Sequence, residues 1–289
     1  MTTFVALGDS ITVGVGDPQP DGAWRGWAAL LAASLPAPRL HNLAVNGALT
    51  RDVERDQLPR ALELRPDIAS VIMGVNDTLR RTFDVCRVAG TIERTLAALR
   101  TEGAIVLTMR LPDPGRMFRL PGGLARPLAR RIRAVNAVTD AAAERFGTVH
   151  VDIAGHPATY ERRMWSVDRL HPSERGHRLL ARSFAGRLGL SPARWPDEEP
   201  ANPPPTLSSE LRWMATKGVR WMVDRSTDLV PYLAGMMIAE WWYGLRGLAH
   251  RLDDSMAREV TAALCAPLVR TRLAAWPDPM DVPLTNCDR

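Results

Sequence analysis

Three side chains of this 289-residue chain have the types and the order that nucleophilic catalysis needs: Ser10, Asp168 and His171. A free hydroxyl is a weak nucleophile until a base takes its proton. An imidazole does this best when a third group fixes its tautomer and stabilises the imidazolium. Asp168-Arg169-Leu170-His171 offers a carboxylate and an imidazole that one short loop can present together. Ser10 follows Phe4-Val5-Ala6-Leu7-Gly8-Asp9, an apolar run of strand length that stops at glycine. Such a run reads as a buried parallel strand delivering the next residues to the carboxyl edge of a sheet, where open α/β folds keep their ligands. A serine there serves equally as a turn former or helix N-cap, so the downstream pair gives Ser10 its chemical reading.

Acyl transfer also needs hydrogen-bond donors aimed at the oxygen that becomes negative. Asn42-Leu43-Ala44-Val45-Asn46-Gly47 is a second strand-like run ending in glycine. Val71-Ile72-Met73-Gly74-Val75-Asn76-Asp77 is a third, ending in Gly-x-Asn-Asp. The Gly47 N–H and the Asn76 side-chain amide, beside the Ser10 N–H, would be the donors. Each fragment is weak alone; in this order, each behind an apolar strand, they form a constellation.

These four blocks resemble those of the SGNH (GDSL) hydrolase family, whose letters stand for Ser, Gly, Asn and His. Gly-Asp-Ser-Ile-Thr is similar to its nucleophile block, Asn42 to Gly47 to its glycine block, Gly-Val-Asn-Asp to its asparagine block and Asp168-Arg-Leu-His to its histidine block. The resemblance covers residues 3–190 and implies a cofactor-independent, metal-free serine hydrolase that cleaves carboxylic esters or thioesters through an acyl-enzyme. It implies Ser10 as nucleophile and oxyanion donor, Gly47 and Asn76 as the rest of the oxyanion hole, His171 as base and Asp168 as its orienting group. Asn46 departs from the small or variable residue expected before the glycine. The alcohol and acyl parts of the substrate stay open, as does an acyltransferase in which an acceptor alcohol replaces water. A non-catalytic binding module would be expected to have lost Ser10, Asn76, Asp168 or His171, and all four are present.

The elements that must position these groups follow from periodicity. Strands are expected at 4–8, in the run to Gly47, and at 68–73, 104–109 and 149–153. Helices are expected at 22–35 around Trp27, Leu30 and Leu31, and at 50–64 around Val53, Leu58, Ala61 and Leu62. Others are expected at 84–101, 124–146 and 173–188. Strands alternating with crossover helices predict a three-layer α/β/α sandwich with a five-stranded parallel sheet. The Pro/Gly/Arg-rich segment 110–123 reads as a long loop and a candidate cleft wall, its arginines either solvated or facing an anionic substrate group. Trp24 and Arg25 are candidate pocket residues, and His156 and Tyr160 fall in the loop before Asp168. His150 reads as structural, and His177 as either packed or exposed at the surface.

Composition narrows the partners. A chain that is 46% hydrophobic and 24% charged has enough apolar material for a full core. The net charge is +5, yet Lys217 is the only lysine and the arginines are scattered, which argues against a nucleic-acid face. Cys86, Cys265 and Cys287 are far apart and odd in number, so they read as reduced thiols; with no export signal at the start, a cytoplasmic protein is expected. Pro192, Pro196, Pro200 and Pro203 to Pro205, with Asp197 to Glu199, read as a stiff linker. The expected organisation is therefore a catalytic domain at 1–190, a linker at 191–206 and a helical extension at 207–289.

Helices in that extension are expected over Leu207 to Trp221, from Asp228 to Leu248 and from Asp254 to Leu264. The apolar span 229–249 is interrupted by Glu240 and Arg246, which argues against a membrane helix. Five of the nine tryptophans, Trp213, Trp221, Trp241, Trp242 and Trp276, lie in the extension. Its ten basic and ten acidic residues give it no polybasic face for acidic lipid. The apolar side, Met236, Met237, Trp241 and Trp242, is expected to be buried. A lid over Ser10, a homo-oligomer interface and a packing appendage each meet that need.

Overall fold

The computed structural model of the chain describes residues 1–190, 200–218 and 229–266. Five parallel strands form one sheet in the order β2-β1-β3-β4-β5. They are β1 (Thr2–Gly8), β2 (Pro38–Asn42), β3 (Ile68–Ile72), β4 (Ile105–Met109) and β5 (Val149–Val151). β3 and β4 are buried throughout and β1 from Phe4 onward, which is why their sequences are continuous apolar runs without alternation. β2 is an edge strand and carries the polar Arg39 and His41.

Parallel pairs need long crossovers, and helices supply them. After a single turn, α1 (Ser10–Val13), come α2 (Gly26–Ala32), α3 (50–63), α4 (Val75–Thr78) and α5 (Val85–Thr101). α6 (Pro114–Phe118), α7 (Gly122–Phe146) and α8 (Glu174–Arg187) complete this part. The middle of α3, Val53–Gln57, is wound as a π-helix. Trp27 is fully buried between Phe4 and Phe184, with ring centroids 6.2 and 5.1 Å away.

Two expectations need correcting here. The second strand stops at Asn42, and 43–47 leaves the sheet. Leu43 and Val45 still donate to Ala6 and Gly8 of β1, but the Asn42 side chain closes a local turn, accepting from the Ala44 N–H at 3.1 Å and donating to the Thr12 carbonyl at 2.7 Å. A side chain that bonds its own backbone competes with the ladder and ends it. Segment 110–123 is also not all loop: Asp113 caps α6 through the Gly115 N–H at 2.7 Å, with Pro114 in the first turn, where its missing N–H costs nothing.

Beyond α8, α9 (Leu207–Trp213) passes into a π-turn, and α10 (Leu229–Leu245) and α11 (His250–Cys265) follow. Both α10 and α11 lie against α7, and α11 also against α5. Arg130 of α7 is the polar centre of this contact, 3.2 Å from Glu240 and 2.8 Å from Asp253. Ala263, Met256 and Val260 join the main core. The expected burial of the α10 apolar face is overturned in part: Met236 is half-buried, but Met237, Ile238, Trp241, Trp242 and Leu245 are exposed. The reason is geometric, because the face of α10 that meets α7 is the one carrying Glu240. Among the described residues no helix is long and apolar enough to cross a membrane. Linker residues 191–199, Trp221, Trp276 and Cys287 lie outside the described residues.

Candidate active site

The Ser10 turn is built from β1 outward. Gly8 has φ 150°, and a Cβ there would lie 2.3 Å from the Ile72 carbonyl oxygen, so the strand end admits no side chain. Asp9 then caps α1 by accepting the Ile11 N–H at 3.0 Å, which leaves Ser10 as the first residue of a helical turn that Gly14 (φ 97°) closes. Gln57 holds the turn from the other side. Its Oε1 accepts the Gly8 N–H at 2.8 Å and its Nε2 donates to the Gly8 carbonyl at 2.9 Å. Gln57 is buried and escaped the sequence reading. The signal was its place on the inward stripe between Val53 and Ala61, where a polar side chain needs a partner.

His171 is set by a loop that folds on its own aspartate. Ser166 donates its N–H to the His171 carbonyl at 2.8 Å, and Trp165 bridges Pro172. Asp168 Oδ1 accepts from the Ser166 hydroxyl (2.6 Å) and from the N–H groups of Leu170 (2.9 Å) and His171 (3.0 Å). Its Oδ2 lies 2.7 Å from His171 Nδ1. Burial alone would raise the Asp168 pKa, but these donors, His171 foremost, outweigh it and hold the carboxyl below its ordinary value. An ionised carboxylate only accepts, so Nδ1 carries the proton and Nε2 is left to accept. Nε2 lies 2.9 Å from Ser10 Oγ.

The two loops are kept in register by backbone contacts. A Cβ on Gly16 would lie 2.0 Å from the Pro172 carbonyl oxygen, so glycine lets the segment after Ser10 touch the segment after His171. His177, fully buried, accepts the Trp27 N–H on Nδ1 at 3.2 Å and donates from Nε2 to the Val15 carbonyl at 3.0 Å. Burial pushes its pKa down to about 4, so it stays neutral, as expected of a structural histidine. Glu174, first residue of α8, accepts from Arg178 (2.8 Å) and pairs with Arg25 (2.9 Å). It also accepts the N–H (2.9 Å) and side-chain amide (3.0 Å) of Asn202.

Gly47 and Asn76 reach the same edge from β2 and β3. The sheet order reverses at β1, so the ends of β2, β1 and β3 surround one crevice. Asn76 Nδ2 donates to the Ala48 carbonyl at 3.1 Å and to Asp9 Oδ2 at 3.3 Å, which ties it to the residue before Ser10. Gly47 (φ 77°) sits in the turn between Val45, bonded to Gly8, and Ala48, bonded to Asn76. Burial raises the Asp9 pKa to about 6, against the pull of the Ile11 N–H and of His171. Asp77, also raised by burial, accepts the N–H (3.0 Å) and hydroxyl (2.9 Å) of Thr50 and so anchors α3 to α4.

Arg25, His156 and Tyr160 have partners of their own. Arg25 is bound to Asp17 at 2.9 Å and Trp24 is exposed. His156 caps the turn Pro157–Tyr160, and the Tyr160 hydroxyl accepts the Asp113 N–H at 3.2 Å. Among the described residues, no group of three or more His, Cys, Asp or Glu could hold a metal ion.

Comparison with known proteins places the chain. The family model of the GDSL-like lipase/acylhydrolase family matches residues 6–179. The chain is 27% identical to an acetylxylan esterase of Geobacillus stearothermophilus over 211 residues, 64% of this chain and 92% of the esterase. It is 30% identical to a lipase of Streptomyces rimosus over 198 residues, 54% of this chain and 72% of the lipase. The fold is similar to the crystal structure of the Geobacillus esterase, with a TM-score of 0.54 and 21% identity over 66% of this chain and 95% of that one. Catalytic mutants of that esterase, also similar, replace a serine, a histidine or an aspartate with alanine. An α/β hydrolase from the metagenome of Lake Arreo, Spain, gives a TM-score of 0.53 at 23% identity, over 65% of this chain and 95% of its own. With a family match over more than half its length, the chain belongs to the GDSL-like lipase/acylhydrolase family, a family of ester hydrolases.

Proposed function

We propose that this chain cleaves carboxylic esters through an acyl-enzyme formed on Ser10. The observation that carries the reading is the unbroken hydrogen-bonded line from Asp168 through His171 to Ser10 Oγ, 2.7 and 2.9 Å. Neutral His171 takes the Ser10 proton as the oxygen attacks the carbonyl carbon, then returns it to the departing alcohol. Water deacylates by the reverse path, with His171 again the base. Asp168 stays ionised and steadies the imidazolium.

The tetrahedral oxygen is received by the Ser10 and Gly47 N–H groups and by Asn76 Nδ2. The long 3.3 Å contact of Nδ2 with Asp9 is the bond the developing oxyanion displaces, while the Ala48 carbonyl keeps the amide in place. We assign the catalytic unit to residues 1–190 and the extension to the part carrying α9, α10 and α11; of the linker read at 191–206 only residues from 200 onward are described. The catalytic mutants of the Geobacillus enzyme support the choice of residue types. Relatives named acetylxylan esterase and lipase make acetyl and longer acyl esters the substrates to compare.

The test is labelling of the full chain with a fluorophosphonate, followed by peptide mapping. A stoichiometric adduct on Ser10, lost in Ser10→Ala together with turnover of p-nitrophenyl esters, is the expected result. An adduct on another serine, or full activity in Ser10→Ala, overturns it. Rates across acetyl to dodecanoyl esters then separate a deacetylase from a lipase.

A further inference from the structure

Between α6, α7 and α11 the surface opens into a cavity of about 400 Å3. Its charged lining is Arg116 of α6, Arg126, Arg130 and Arg133 of α7, Asp113, and Asp253 of α11. Four guanidinium groups thus face two carboxylates in the lining, with Glu240 behind Arg130 as a third, and each of the two lining carboxylates is engaged. Asp253 accepts from Arg130 at 2.8 Å and lies 3.8 Å from Arg133. Asp113 holds the Gly115 N–H at 2.7 Å. Among the described residues neither Arg116 nor Arg126 pairs with a carboxylate.

Two of the four cations are also held in place before any ligand arrives. Arg116 stacks on Tyr160, 3.5 Å from the ring centroid, and Arg130 is fixed by Glu240 and Asp253 at 3.2 and 2.8 Å. α7 begins at Gly122 without a side-chain cap, so the positive end of a 25-residue helix adds to the field around Arg126. Planar guanidinium forks match the oxygens of a phosphate in pairs, and a fixed fork loses less freedom on binding than a mobile one. A volume of 400 Å3 exceeds what a bare phosphate needs and falls in the range of small-molecule sites.

We propose that this cavity is a second binding site, distinct from the Ser10 cleft, for the phosphate group of a phosphorylated small molecule or of a phospholipid headgroup. None of its lining residues hydrogen-bonds Ser10, Asp168 or His171. Only its α11 wall, Asp253, lies beyond residue 179, where the family match ends; the four arginines lie within the matched residues, and the extension completes the cavity.

The full chain is titrated by calorimetry at low ionic strength with two probes, inorganic phosphate and soluble dihexanoyl phosphatidic acid. Sodium chloride at matched ionic strength is the reference. Saturable binding of either probe supports the site. Binding of phosphate identifies a soluble phosphorylated ligand, and binding of phosphatidic acid alone identifies a lipid headgroup. The paired substitution Arg126→Gln and Arg133→Gln is expected to weaken binding by about a hundredfold, roughly tenfold for each charge-assisted hydrogen bond removed. Both side chains are exposed, so folding is preserved, and Arg126→Gln alone serves if the pair disturbs it. Gln at the exposed Arg60 and Arg187 should change nothing. The proposal is overturned if neither probe saturates below about 10 mM, if chloride gives the same heat, or if the Arg126→Gln, Arg133→Gln protein binds like the parent. Because the readout is binding, a negative result leaves the proposed chemistry at Ser10 standing, and loss of that chemistry leaves this site standing.

Discussion

Two histidines of this chain stand in arrangements of the same three groups. His171 joins Asp168 to the Ser10 hydroxyl at 2.7 and 2.9 Å; His150 joins Asp140 to the Thr108 hydroxyl at 3.1 and 2.9 Å. What separates them is place and surroundings. Ser10 lies just past the end of a strand, where a substrate can reach it. Thr108 lies within β4, 1% exposed, and its oxygen is also shared with the Thr148 hydroxyl at 2.7 Å. Asp168 is locked by three further donors, whereas Asp140 is 39% exposed and shared with Arg110 at 3.4 Å. Burial, the larger effect, lowers the His150 pKa although Asp140 opposes it. A carboxylate, an imidazole and a hydroxyl in line are therefore not enough. On the proposed reading the hydroxyl also has to sit on the sheet edge, beside the donors assigned to the oxyanion hole.

The most forceful way to break this comparison is to remove each imidazole in turn. His171→Ala is expected to lower kcat/KM for p-nitrophenyl acetate by about 10⁴-fold or more, and His150→Phe by only a few-fold. Equal losses would dissolve the distinction. Next in size is Asn76→Ala, expected to cost about 10²–10³-fold in kcat with KM nearly unchanged. A loss confined to KM would make Asn76 a substrate contact instead.

Gln57→Leu removes both bonds to Gly8 and orphans a buried N–H, at about 1–3 kcal/mol in denaturant unfolding. Its activity should drop through kcat, because the Ser10 turn loses its far support, and Gln57→Glu should restore part of it by keeping the acceptor. Unchanged kcat in a destabilised Gln57→Leu protein would reduce Gln57 to a packing residue.

The smallest effect concerns His177, whose pKa falls from 6.5 to about 4 on folding. As pH drops, the unfolded chain takes up the proton first. The contribution to stability is therefore complete above about 6.5 and is lost progressively down to about 4. Thermal midpoints between pH 7 and 4 should fall less steeply in His177→Gln than in the parent, and parallel curves would refute the assignment.

Much of the site was legible because its chemistry is carried by short contiguous strings, each beside an apolar strand. Gly8-Asp9-Ser10, Gly74-Val75-Asn76-Asp77 and Asp168 to His171 all read this way, and the alternation of strands with helices fixed which edge they share. What stayed illegible depends on contacts across the chain. Gln57 is one polar letter on a helical stripe, and only its position under Gly8, 49 residues earlier, gives it meaning. The Asn42 turn that ends β2 hides in a run that looks like strand. The outward face of α10 was misjudged because periodicity reports an apolar side without saying what meets it. Glu240, read as an interruption, is the residue that faces inward.

The bridge between Asn202 and Glu174 has a mechanical meaning. Glu174 begins α8, two residues after Pro172, and its carboxyl is held at about 2 despite burial, so Asn202, Arg25 and Arg178 grip a charged anchor even in mild acid. Tension applied to the chain beyond residue 202 is therefore taken up at Glu174 before it reaches the His171 loop. The covalent path from the C-terminal helices to His171 is clamped at its near end, like a cable tied off short of the instrument it serves.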